Sequence, residues 1–210
     1  PLAQAMLDPG DLVLVPDPGY APYARGAALA GGQVVYLPLR PENAFLPDLD
    51  AIPADVAERA VMLWLNYPNN PTGAVADLDF LARAVDYCRR HDILLCSDAP
   101  YCEVGFDNYQ APSVLQVPGA ADVAIEFNSF SKSWNMAGWR VGMAVGNAAA
   151  LAALGQVKSN VDSGLHRPVQ EAAITALATP PEWIAERNAL YHQRILLMRD
   201  ALRGLGVQVP

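Results

Sequence analysis

Lys132 lies in the stretch Ser129–Arg140, SFSKSWNMAGWR, behind two hydroxyls and among Phe130, Trp134 and Met136, with Arg140 eight residues further on. Lysine ordinarily belongs in water, and charged residues make up only 17% of this chain. The stretch is therefore an ordinary surface loop or a lysine kept for chemistry, because an amine shielded by apolar groups sheds its proton more readily and becomes a nucleophile and a base. Two other polar segments raise the same question. NYPNNPTG, Asn66–Gly73, carries Asn70, and SDAPYCEV, Ser97–Val104, carries Asp98 and, three residues later, Tyr101. Taken singly, each has a bland reading. NPTG is a turn with a helix cap, an aspartate after a strand is a cap or loop residue, and S-x-S-K is common.

Their placement weakens the bland readings. Short apolar runs predict strands at Asp11–Val15, Gln33–Pro38, Val61–Asn66, Ile93–Asp98, within ADVAIEFNSF, and at Val141–Gly146. Helical segments alternate with them. One runs through YAPYARGAALAGG and stops at Gly31-Gly32; another, DLDFLARAVDYCRRHD, repeats Leu78, Leu81, Val85 and Cys88 along one apolar face. Near-continuous apolar strands imply an α/β fold, a mostly parallel sheet covered by helices on both faces. After Gly146 the pattern turns to helices, over Ala148–Asn160, Arg167–Ala178 and Pro181–Arg203. In the last of these, Trp183, Leu190 and Leu197 recur at sevens, as do Ile184, Tyr191 and Met198, which reads as packing; the closing VQVP reads as the start of a strand. All three polar segments follow predicted strands, and open α/β sheets bind ligands outside the carboxyl ends of their strands.

At 210 residues and 52% hydrophobic, the chain can bury a substantial core. A net charge of −8 argues against a broad nucleic-acid footprint, which needs a basic face. No apolar run approaches the ~20 residues of a bilayer span, and the first residues show no signal-peptide pattern. Cys88, Cys96 and Cys102 are odd in number and lack C-x-x-C spacing, so they read as buried thiols in a reducing, cytoplasmic compartment. His91, His166 and His192 show no metal-ligand spacing.

The chain resembles the fold type I, class I/II aminotransferases, which use pyridoxal 5′-phosphate. The resemblance rests on N-P-T-G at Asn70–Gly73, D-x-x-Y at Asp98–Tyr101, and S-x-S-K followed by G-W-R across Ser129–Arg140; DPGDLVLVPDPGYAPY near the start extends it over nearly the whole chain. KSNVDSG, Lys158–Gly164, is similar to the branch holding LL-diaminopimelate and alanine-type aminotransferases. The resemblance implies that Lys132 forms a Schiff base with the cofactor aldehyde and later shuttles the substrate proton. It implies Asp98 against the pyridine nitrogen, Tyr101 and Asn70 on the phenolic oxygen, and Arg140, Ser129 and Ser131 on the phosphate. Tyr20 matches the position of the stacking aromatic, Trp134 and Trp139 are expected to pack, and the Asn70–Pro71 bond is expected to be cis.

The implied activity is amino transfer between an amino acid and a 2-oxo acid by a ping-pong mechanism. A cysteine-S-conjugate β-lyase, or the effector domain of a transcription regulator, would keep the same cofactor residues. The implied unit is a homodimer, with Asn160–Gly164 reaching the neighbouring site, and with no nucleic-acid or membrane partner. Residues 1–180 are read as the cofactor-binding large domain, and 181–210 as a connecting helix leading to a small domain largely absent from this chain. The family's glycine-rich phosphate segment and its carboxylate-gripping arginine are expected before Pro1 and after Pro210, so residues 1–210 alone are expected to fail as a transaminase.

Overall fold

The computed structural model describes residues 1–209. Six strands, β1 (Leu12–Asp17), β2 (Gln33–Pro38), β3 (Ala60–Asn66), β4 (Leu94–Asp98), β5 (Ala124–Ser129) and β6 (Gly142–Gly146), form one sheet in the order β2-β1-β3-β4-β5-β6. All neighbours are parallel except β6, which runs antiparallel to β5. The central strands are apolar at successive positions because helices cover both of their faces; Val13, Leu14, Met62, Leu63, Leu95 and Ile125 are fully buried.

One face packs against α4 (Leu78–His91), whose Phe80, Leu81, Ala84, Val85 and Cys88 meet Leu14, Leu63, Leu65 and Leu95. The Asp77 carboxylate caps α4 by accepting from Phe80 N at 2.7 Å. Leu78 is exposed, contrary to the expected face, because it sits in the first turn at the margin of the face that Phe80, Leu81 and Ala84 bury. The opposite sheet face is covered by α1 (Leu2–Met6), α2 (Pro22–Leu29) and α6 (Ala148–Val161), through Leu2, Tyr23, Ala27 and Ala150. A short α3 (Ala54–Ala57) leads into β3. This is the α/β three-layer sandwich that the apolar strand runs implied.

Beyond the sheet, α5 (Phe130–Ser133) follows β5, and α7 (Arg167–Leu177) lays Ala173 and Ala176 against Phe130 and Val141. Along the long α8 (Pro181–Gly204), Trp183, Leu190, Leu197 and Met198 of the apolar repeat are exposed, Ile184 and Tyr191 are half-buried, and the residue it buries is Arg187. Val207–Val209 does not begin a strand. Val207 N bonds Leu202 O at 3.0 Å and Gly206 N bonds Arg203 O at 3.0 Å, with Gly206 at φ 79°, so these residues close the helix end instead. Among the described residues, no helix is long and apolar enough to cross a membrane.

Candidate active site

The parallel register sets Asn66 level with Asp98, and Asp98 level with Phe127, so the carboxyl ends of β3, β4 and β5 lie side by side. Asp98 is the centre of this edge. Tyr23 donates its hydroxyl to Asp98 Oδ2 at 2.5 Å. The Tyr23 ring is held by stacking on Trp64, with centroids 4.5 Å apart and planes 9° from parallel. Trp64 in turn stacks on Phe127 at 5.7 Å, and Tyr20 meets Tyr23 edge-on at 5.6 Å. Tyr20 itself is 47% exposed, its ring free on the solvent side.

Asn66 joins the next loop to the same edge. Its amide donates to Asp98 O at 2.8 Å and its Oδ1 accepts from Asn70 N at 2.8 Å, with the side chain buried. The NPTG turn is held locally: Asn69 Oδ1 accepts from Thr72 Oγ1 at 2.7 Å, Gly73 N bonds Asn69 O at 2.8 Å, and Gly73 takes φ 73°. Glycine reaches that left-handed backbone without steric penalty. The Asn70–Pro71 bond is cis, as are Tyr67–Pro68 and Asp17–Pro18. Asn70 and Tyr101 line one open groove of about 450 Å³.

The electrostatics follow from burial. Desolvation raises the Asp98 carboxyl above the ordinary carboxylate range, and the hydrogen bond from Tyr23 works against that rise. Burial also raises the Tyr101 hydroxyl, reinforced by the nearby charge of Asp98. Tyr23 is pushed up by burial first and by Asp98 second, so it stays a donor. Asp98 Oδ1 has no protein donor among the described residues. A carboxylate with one oxygen tied and the other open is suited to a cationic N–H.

Lys132 stands across from Tyr101, its Nζ 5.9 Å from the ring centroid. The lysine is exposed, which corrects the shielding expected from its apolar neighbours in sequence. In the four-residue α5, Phe130 and Ser133 take the buried positions and Trp134 packs on Phe130 at 4.6 Å. The apolar residues go beneath the turn, and Lys132 is left facing out. Ser129 caps α5 by accepting from Ser131 N at 3.3 Å. Arg140, at φ 54°, turns back so that its Nη1 donates to Ala137 O at 2.9 Å and lies 3.5 Å from Ser131 Oγ. Arg140 is exposed and has no carboxylate within ion-pair distance among the described residues. Trp139 is 49% exposed and does not pack as expected. Of the cysteines, Cys88 and Cys96 are buried, whereas Cys102 is half-buried, donates to Asn128 Oδ1 at 3.1 Å, and is raised to about 11, chiefly by burial.

The structure thus brings Tyr20, Asn70, Asp98, Tyr101 and Lys132 to one sheet edge, with Ser129, Ser131 and Arg140 one turn away. Two residues went unnoticed in the sequence, Tyr23 and Asn66. The only signal for Tyr23 was its spacing of three from Tyr20, and Asn66 looked like the last residue of a strand.

A sequence model of the class I and II aminotransferases matches residues 2–210. The chain belongs to this aminotransferase family. It is 52% identical over 202 residues to an LL-diaminopimelate aminotransferase of Gloeobacter violaceus, covering 96% of this chain and 52% of that protein. It is 54% identical over 205 residues to one of Desulforudis audaxviator, covering 98% of this chain and 52% of that protein. Among solved structures, apo BacF from Bacillus subtilis superposes with a TM-score of 0.96 at 40% identity, over 100% of this chain and 53% of that one. A probable N-succinyldiaminopimelate aminotransferase from Thermus thermophilus superposes at 0.91 and 40% identity, over 97% of this chain and 54% of that one. The chain spans about half the length of the curated relatives it matches. The family works with pyridoxal phosphate, and the donor set fits that group: an exposed amine, an open oxygen on a half-buried carboxylate, an exposed aromatic face and an arginine fork beside a serine hydroxyl.

Proposed function

We propose that the whole protein is an aminotransferase that moves an amino group from an amino acid to a 2-oxo acid, with LL-diaminopimelate, named in its relatives, as the amino donor to test first. The observation that carries this reading is Asp98, held by Tyr23 on Oδ2 and open on Oδ1, at the same sheet edge as Lys132 and Tyr101. Pyridoxal phosphate, when bound, would supply an electron sink for negative charge at the substrate α-carbon. Asp98 would hold the proton of the cofactor's pyridine nitrogen, and Tyr23 keeps that carboxylate aimed. Lys132 Nζ would be the amine that anchors the cofactor and would hold and move the substrate α-proton. Tyr101, Asn70 and Tyr20 would hold the cofactor ring. Arg140, with Ser129 and Ser131, would grip the phosphate with charge-assisted hydrogen bonds.

The unit is a homodimer in this reading, and residues 1–180 are its cofactor-binding domain, with 181–210 leading onward. Asn160–Gly164, the end of α6 and the turn after it, is exposed throughout, with Ser163 and Gly164 at φ 56° and 116°, which supports its reaching a neighbouring site. Borohydride reduction of the cofactor-loaded protein, followed by peptide mapping, tests the site. The label should fall on Lys132; a label on Lys158, the other lysine of the chain, overturns the assignment. A donor screen against 2-oxoglutarate and pyruvate tests the activity. Release of keto acid without stoichiometric amine transfer would replace it with a lyase.

A further inference from the structure

Arg187 is the one strongly basic side chain of the described residues that is buried, 6% exposed, and no carboxylate lies within ion-pair distance of it. Burial disfavours the charge of a guanidinium, and here it lowers Arg187 from its usual range. Removing such a charge from water is costly unless every donor finds a partner. Arg187 finds them in backbone. Its Nη1 donates to Ser133 O and lies 3.4 Å from Lys132 O, and its Nη2 donates to Glu103 O at 2.6 Å. Nε and Nη2 share the Oδ1 of Asn188, at 3.2 and 2.7 Å.

The carbonyls it takes are not arbitrary. A helix as short as α5 leaves its last carbonyls without helical partners, and a cation at that end is favoured. Two of the three belong to Lys132 and its neighbour. The third, Glu103 O, lies in the turn closed by Val104 N on Tyr101 O at 2.8 Å, so it reports directly on the segment that carries Tyr101. Rings from the same helix flank the guanidinium, Trp183 at 5.7 Å and Tyr191 at 5.9 Å, and limit its movement.

The residues around Arg187 repeat the pattern. Asn188 Nδ2 also donates to Glu103 O, at 2.8 Å, and Tyr191 donates to Asn135 Oδ1, at 2.8 Å, just past α5. His192 stacks on Phe106 at 5.3 Å, beyond the Tyr101 turn. Positions 187, 188, 191 and 192 share one helix face. That face holds two segments that do not otherwise share an element.

We propose that Arg187 is a positioning residue of the candidate site: from α8 it clamps the backbone of Lys132 to the loop of Tyr101 and so sets the spacing between the amine and the phenol. The proposal rests on the aminotransferase reading for its functional consequence, and on the contacts alone for the clamp. Loss of positioning lowers turnover more than binding, because the reactive groups survive but no longer meet in register.

The test uses the whole protein carrying Arg187→Met or Arg187→Lys, with amide hydrogen exchange on the cofactor-free form and steady-state kinetics on the loaded form. In R187M, exchange should accelerate about 10-fold or more in both 101–106 and 130–136 and stay unchanged in β1 and β3. Its kcat should fall roughly 10- to 100-fold, with KM for the amino donor within about 3-fold. R187K keeps the charge but not the fork, and should lie between wild type and R187M in both readouts. Loosening of one segment only, uniform loosening through the sheet, or an unchanged kcat in a folded R187M overturns the proposal. Where R187M does not fold, R187K decides by the same two readouts. If the wild type transfers no amino group, the functional reading fails, while the exchange result still decides the clamp.

Discussion

Replacing Tyr23 by phenylalanine removes one oxygen and keeps the ring that stacks on Trp64. The lost interaction is the 2.5 Å hydrogen bond to Asp98 Oδ2. A hydrogen bond to a charged acceptor contributes about 1.5–3 kcal/mol, and the partial exposure of Asp98 puts this one near the lower end. Without that bond, burial acts unopposed by Tyr23, so Y23F should raise the Asp98 carboxyl further. The sign follows from linkage. A carboxyl raised in the folded state binds protons more readily there than in the unfolded chain, so stability falls as pH rises from the ordinary carboxylate range through the raised folded value. Y23F should therefore be less stable than wild type by about 1.5 kcal/mol near neutral pH. The gap should narrow as pH falls from neutral through the raised folded-state range of Asp98, where the carboxyl becomes protonated in both. Urea midpoints of the cofactor-free whole protein, measured across that range at equal m-values, report it. A gap that does not change with pH would show that Tyr23 acts through packing alone, and no gap at all would refute the hydrogen bond as a stabiliser of the ionised carboxylate.

Arg140→Gln should weaken pyridoxal phosphate binding about 10- to 100-fold while leaving phosphate-free pyridoxal unaffected, a contrast that equilibrium binding would resolve. Asn66→Ala strands Asp98 O and Asn70 N and should destabilise the protein by about 1–3 kcal/mol, read as a lower urea midpoint. The whole protein should sediment as a dimer, and a fully active monomer would contradict the subunit proposal.

Much of the architecture was legible because the central strands are buried on both sides and so read as apolar runs, as at Val61–Asn66 and Ile93–Asp98. The polar segments stood out for the same reason: Asp98 and Lys132 break apolar stretches where packing alone would not put them. What stayed hidden depends on pairings between distant positions. Tyr23 and Asp98 are 75 residues apart, and no periodicity marks a phenol as the partner of a carboxylate. Exposure was also misread from sequence neighbours. Phe130 and Trp134 surround Lys132 in the chain but pack below it, because a four-residue helix separates adjacent side chains onto different faces. In α8 the apolar repeat at sevens drew attention to Trp183 and Leu190, while the polar contacts to the rest of the chain run through Arg187, Asn188 and Tyr191, which hydropathy counts as surface.

The residues at the carboxyl edge come from four strands whose neighbours are found far along the chain, with β1 inserted between β2 and β3 and Lys132 more than a hundred positions after Tyr20. The stretch joining β5 to β6 carries Ser129, Ser131, Lys132 and Arg140, and the other site residues come from the ends of β1, β3 and β4. Parallel pairings of this kind must close long loops before any contact rewards them, and they form slowly. A chain still folding therefore offers no complete site, and the full set of cofactor contacts is open only to molecules whose sheet is complete. The cofactor's binding energy is then added to the native state, about 2.7 kcal/mol when free cofactor stands at a hundred times its dissociation constant. Cofactor present during folding should therefore raise the yield of native protein as well as enable its chemistry.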